Sequence, residues 1–229
     1  MSQAGHPVVW LHMRDVYDLG SELFRWEMAT AIASRSLQIN PFDQPDVESA
    51  KVLARQMVAA YKSEGQLPAL TPALSSDGIT VYGEVTANSP AEALKRFASL
   101  AQPGDYVAIQ AYVQPTAAIT EALQQMRLAL RNELHVATTV GFGPRFLHST
   151  GQLHKGDRGN GLFIQITADN ARDADIPDEA GAPDSSMTFG VLEAAQSMGD
   201  RQALLDNQRR IIRFHLPADV IAGLQQLQG

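Results

Sequence analysis

The sequence predicts an α/β protein in which a helical segment precedes a mainly parallel α/β sandwich domain. Three observations support this. From residue 79 onward, short β-branched or aromatic runs alternate with amphipathic stretches, the pattern of strands joined by covering helices. Ile119, Leu123, Met126 and Leu130 form a single apolar stripe of helical period. Residues 66–78, "QLPALTPALSSDG", hold two prolines and a glycine without a sustained period, which predicts a linker between an N-terminal part (1–65) and a C-terminal domain (79–229).

The elements follow in order. Val8 to Met13 reads as a strand. "YDLGSELFRWEMATAIASRSLQIN" reads as a helix whose apolar residues, among them Leu19, Leu23, Trp26, Met28, Ile32 and Leu37, spread around the axis, so it is expected to be mostly buried. Pro41 ends it, because a residue before proline avoids the helical region. A second helix starts near Asp43, runs to about Glu64 and stops at Gly65. Further on, "ITVYGEV", "YVAIQAYV", "HVATTVGF", "GLFIQITA" and "RRIIRFHL" read as strands, with helices between and after them. Ser89, Pro90 and Glu92 make a capping box with a proline start. The acidic, Pro/Gly-containing run "DNARDADIPDEAGAPDSS" reads as a mobile surface loop.

Bulk composition removes several functions. With 229 residues, 45% hydrophobic and 19% charged, the chain is that of an ordinary globular protein. A net charge of -7 offers no basic field to a nucleic acid. The absence of cysteine excludes disulfides, thiolate catalysis and cysteine zinc sites. No basic, apolar leader and no run of roughly 18 apolar residues is present, so a cytoplasmic protein outside the membrane is expected.

Two stretches carry chemistry. In "NPFDQPDVESAK", Gln44 and Lys51 share a helix face about 10 Å apart at 1.5 Å per residue, a spacing that suits a small sugar phosphate, with Glu48 able to hold Lys51. The plain reading is a capping Asp43 followed by a solvated face, and spacing alone favours it. The second stretch, "TVGFGPRFLHSTGQLHKGDRGNGLFIQIT", gathers Arg145, His148, Ser149, Thr150, His154 and Lys155 after a strand, at the carboxyl end where ligands of parallel sheets bind. Cations and hydroxyls there suit an anionic oxygen ligand. A structural loop with locally bonded histidines fits the same residues. A metal site does not, since His148 and His154 lack a third ligand at useful spacing.

The string F-D-Q-x-x-V-E-x-x-K at Phe42 to Lys51, after a long helix, resembles the C-terminal signature of phosphoglucose isomerases. "GPRFLHSTGQLHKG", "GLFIQIT", "TFGVLEAAQSMGDRQAL" and "RRIIRFHL" resemble, in the same order, the end of the bacterial fusion proteins that join a transaldolase to a glucose-6-phosphate isomerase. The resemblance implies that residues 1–65 end a sugar-isomerase (SIS-like) domain. It also implies that Gln44 contacts the sugar phosphate and that Lys51 stabilises charge near the C1 and C2 oxygens of the substrate. "HSTGQLHKG" is similar to the string that carries the ring-opening histidine, which implies that role for His148, with Arg145, Ser149, Thr150, His154 and Lys155 as substrate-binding neighbours. No cofactor or metal is implied.

Three departures stand out. The common family pattern has a glycine where this chain has Asp46. This chain has Gly156-Asp157-Arg158-Gly159 where the fusion proteins read G-G-P after the lysine. The E-S-N-G-K string of the catalytic glutamate, the Ser/Thr-rich phosphate loop and the transaldolase lysine are all missing. The chain is therefore expected to be a C-terminal piece of a larger enzyme, inactive alone and completed by isomerase or transaldolase domains in cis or in a partner chain. A homo-oligomer is compatible with this. Glu22 and Glu27 are poor substitutes for the missing base, and pairing with Arg25 is expected instead.

Overall fold

The computed structural model describes residues 2–43 and 45–229 and, within them, all side chains but those of Ala4, Pro45, Val47 and His148. The chain divides into two compact units, Met1–Asp43 and Gln44–Gly229.

The first unit contains one long helix, α1 (Asp18–Leu37). Its first turn is fixed by Arg14, whose backbone and guanidinium donate to Asp18, and Gln38 closes it in the left-handed region. Glu22 pairs with Arg25 at 2.7 Å, as expected. The burial expected of this helix is not found. Leu23, Phe24, Trp26, Ile32 and Leu37 are all exposed, and Ser34 is its only buried residue among those described. A helix buries an apolar face only against a second layer, and residues 2–43 supply none. Residues 8–13 likewise form no strand, because strand geometry needs a ladder partner to take up its N–H and C=O groups.

The second unit begins with α2 (Pro45–Glu64) and holds a six-stranded sheet. The four strands β3 (Tyr106–Tyr112), β4 (Ala137–Phe142), β5 (Gly161–Ala168) and β8 (Arg210–Leu216) are parallel. β2 (Ile79–Tyr82) joins β8 antiparallel, and β1 (Leu74–Ser76) joins β2, which gives the order β1-β2-β8-β5-β3-β4. The expected linker thus contains a strand. Asp77 and Gly78 both have positive φ, 55° and 77°, and form the two-residue hairpin turn for which Asp-Gly is suited.

Helices cover both faces. α3 (Pro90–Ala98), α4 (Ala117–Leu134) and α7 (Val220–Gln228) close an apolar core on one side, where the 119/123/126/130 stripe of α4 meets Ile109, Ile164 and Phe214. Ser89 caps the helix as expected, its Oγ accepting from the Glu92 amide at 3.2 Å, but Glu92 accepts from the amide of Asn88 at 2.8 Å rather than from that of Ser89. α5 (Gly151–Gly156) and α6 (Phe189–Asp206) lie on the other side, and α2 packs on α6. The helix assigned from sequence to the N-terminal part therefore belongs to the sheet unit, and the division falls at Asp43 rather than in residues 66–78. The acidic loop is partly ordered by a short ribbon of β6 (Asp175–Ile176) and β7 (Met187–Thr188). Among the described residues, no helix is long and apolar enough to cross a membrane.

α2 and α6 approach so closely that a Cβ on Gly199 would lie 2.6 Å from the Ala54 nitrogen and 3.1 Å from the Ala50 oxygen. Backbone atoms cannot rotate away from such a contact, so the helices must separate. Gly199→Ala should therefore cost about 1 to 3 kcal/mol from overpacking, which outweighs the roughly 1 kcal/mol gained in helix propensity. Urea unfolding followed by circular dichroism checks this, and an unchanged or higher midpoint would show that the helices part freely.

Candidate functional site

Chain direction positions the site. β3 runs through α4 outward to β4, whereas β5 runs through α6 in the opposite direction to β8, so the connections diverge at the adjacent carboxyl ends of β3 and β5. Ligands of open α/β sheets bind at such a divergence. A cleft of about 1200 Å³ lies there, lined by Val113, Phe142, Arg145, Asp169, Asn170 and Asp219 among others. A second cavity of about 330 Å³ shares Asp169, Asn170 and Glu193 with it and extends under α6.

The candidate residues separate into three groups. Gln44 lies outside the described residues, as does the side chain of His148. Lys51 stands on α2 with its side chain 48% exposed, and its Nζ is 3.6 Å from Glu48 Oε2. Glu48 Oε1 takes the Arg55 guanidinium at 2.7 Å, and this bond, with Lys51 nearby, holds the Glu48 carboxyl below its usual range. Lys51 lines neither cavity. Arg145 is exposed and faces the larger cleft, and Ser149 and Thr150 are exposed beside it.

His154 and Lys155 require correction, because both point inward. Lys155 is 1% exposed and its Nζ donates to Asp200 Oδ1, an ion pair buried between α5 and α6. Tyr112 OH also donates to Asp200, at 3.5 Å. His154 is packed between the rings of Phe146 and Phe163, tilted to both, with centroids 5.8 and 5.1 Å away, and its Nδ1 meets Gln110 Nε2 at 3.1 Å. Burial, then the Lys155 charge, lowers its pKa to about 4. The reason lies in the helical period: on α5, residues 154 and 155 face the sheet and α6, while exposed Leu153 faces away. Neither is presented to a ligand outside the fold.

The two motif stretches nevertheless meet. Asp46, in the first turn of α2, accepts from Gln152 Nε2 of α5 at 2.8 Å. Gly156 permits this approach, since a Cβ there would sit 2.8 Å from Asp46 Oδ2. Asp157 accepts from Tyr106 OH at 2.7 Å and pairs with the Arg209 guanidinium, its Nε at 3.1 Å. It thereby ties the turn to the sheet.

Sequence reading missed a row of polar residues on the sheet face beneath α6. Gln110, Gln165 and Arg213 stand side by side in register on β3, β5 and β8, and Tyr112, Thr167 and His215 form the next row. The opposite face of the same strands is apolar apart from Arg210 at the start of β8. The signal was a polar residue at the same alternate position of three buried strands, "IQAY", "IQIT" and "IRFH". Among the described residues no group of three His, Asp or Glu residues is placed to hold a metal.

No protein-family model and no curated protein matches this chain. Among solved structures it is similar to the hypothetical protein TT0462 from Thermus thermophilus, with 17% identity and a TM-score of 0.46. The likeness covers 60% of this chain and 36% of that one.

The unfolded chain protonates His154 near 6.5, whereas the native state resists protonation until about 4. Its contribution is thus complete above pH 6.5 and is lost as pH falls towards 4, to a total of about 3 kcal/mol at about 1.4 kcal/mol per unit. Urea unfolding across pH 7 to 4 should show this slope, and His154→Gln should flatten it.

Proposed function

We propose that the chain is the C-terminal portion of a glucose-6-phosphate isomerase of the transaldolase-fused kind, and that it contributes one wall of a sugar-phosphate site. The observation that carries this reading is the junction of Asp46 and Gln152. Two sequence stretches more than a hundred residues apart, each resembling isomerase sequence, are joined through side chains. A shared site requires that the two stretches lie together, and this contact meets that requirement.

Interconversion of glucose 6-phosphate and fructose 6-phosphate opens the ring, moves a proton between C2 and C1 through an enediol, and develops negative charge on the C1 and C2 oxygens. Lys51 supplies a cation for that charge, with Glu48 holding its stem near the helix surface. Gln44 binds the phosphate end, and His148 serves ring opening. Exposed Arg145, Ser149 and Thr150 offer further donors, while Lys155 and His154 hold α5 in place. The base that moves the proton comes from sequence outside this chain. Half-exposed Lys51, lining no cavity of its own unit, fits a wall that another domain completes.

Combining the chain with the sugar-isomerase portion should restore interconversion of the two hexose phosphates, read by a coupled assay. Lys51→Ala in the combined enzyme should lower kcat by about 100- to 1000-fold, the usual loss of one oxyanion-stabilising group. Unchanged turnover would sink the role of Lys51, and no activity in any combination would favour a binding or assembly domain instead.

A further inference from the structure

The smaller cavity under α6 contains a cation that the proposed isomerase site does not use. Arg213 is 8% exposed, and among the described residues no carboxylate pairs with it. Its Nε donates to Thr167 Oγ1 at 3.2 Å, its guanidinium lies 5.8 Å above the Tyr82 ring, and its Nη1 is sealed from solvent without an acceptor. Burial pulls its pKa down to about 10, with only the phenols of Tyr82 and Tyr112 opposing the shift. A buried guanidinium is ordinarily matched by a carboxylate or a phosphate, because desolvating it alone is unfavourable.

The surroundings specify what would match it. Buried Tyr112, Thr167 and Ser197 line the cavity beside Arg213. The outer lining is acidic and amide-bearing, with Asp169, Asn170, Asp173 and Glu193. These groups accept hydrogen bonds, so they favour hydroxyl-bearing carbon and disfavour a second anionic group. At about 330 Å³ the cavity is the size of a small metabolite. It opens at the carboxyl ends of β5 and β8, next to the divergence of the sheet.

We propose that this cavity is a second ligand site, which binds a small hydroxylated metabolite through a single oxyanion, a phosphate monoester or a carboxylate, held by the Arg213 fork. Thr167 orients the guanidinium, and the carboxylates and Asn170 at the mouth accept the ligand's hydroxyls. The site is independent of Lys51, which lines no part of it.

Thermal unfolding of the 229-residue chain tests this with fructose 6-phosphate, gluconate and neutral fructose. One of the two anions should raise the midpoint by roughly 3 to 6 °C at about ten times its Kd, and fructose should not. Which anion does so tells phosphate from carboxylate. Arg213→Met should abolish the shift while leaving the midpoint without ligand equal to or above that of the wild type, since an unmatched buried charge has been removed. If that variant does not fold, Arg213→Lys, which keeps the charge and loses the fork, should weaken binding at least about tenfold. Lys51→Ala should keep the full shift. The proposal is overturned if neither anion shifts the wild type, if both Arg213 variants respond as the wild type does, or if Lys51→Ala removes the response. The last outcome would assign the ligand to the isomerase wall instead.

Discussion

The arrangement of this fold around its candidate site depends on a single buried ion pair. Lys155 cannot leave its ammonium unpaired at 1% exposure, and Asp200 cannot hold a bare carboxylate where burial alone would push its pKa up. Each is tolerable only with the other, so α5 and α6 must dock in the register that brings them together. Tyr112 extends the constraint to β3 by donating to the same carboxylate. A hydrophobic pair of similar volume would pack as well, but it would not require two particular atoms to meet. The charged pair permits one position, and from that position Gln152 reaches Asp46 and Arg145 reaches the cleft.

Close packing transmits the same constraint to α2. Gly199 directly precedes Asp200 on α6 and brings the two helix backbones into contact at Ala50 and Ala54. Lys51 sits beside Ala50, so the helix face that carries it is set by the small residues next to it. The placement of a surface lysine is therefore decided in the core, by a glycine and two alanines that bear no chemistry. Gly143 plays a similar part at the cleft, where a Cβ would strike the Tyr112 ring at 2.5 Å.

Most of the sheet unit was legible in the sequence because its signals are local. The α4 stripe, the Ser89 cap and the five strand runs each need only a window of a few residues, and each was found where expected. The Asp77-Gly78 hairpin was equally local but was hidden inside a stretch dominated by prolines. What could not be read was direction. Lys155 and His154 look like ligand groups in a loop of cations and hydroxyls, and only the turn of a six-residue helix sends them inward. The buried Asp200 and Arg213 lie on separate elements, and nothing in a linear pattern says that one cation has a carboxylate and the other has none. α1 shows the reverse failure: apolar residues all around a helix predict burial only if a second layer exists to cover them, and residues 2–43 supply none.

The contrast between the two buried cations bears on how such a unit acquires function. Lys155 and Arg213 lie on the same side of one sheet, and both are removed from water. Lys155 is neutralised internally, so its position is fixed and it is closed to any ligand. Arg213 is held at one edge by Thr167 and capped by a tyrosine ring, with its buried Nη1 unmatched. A fold selected for stability alone would replace that arginine by methionine or supply it with an aspartate, since either change is small and the sheet tolerates both sizes. A cation kept in a cavity without a protein counterion is a cost borne for something outside the chain. That asymmetry, rather than the size of the cavity, is what separates a site from a packing defect.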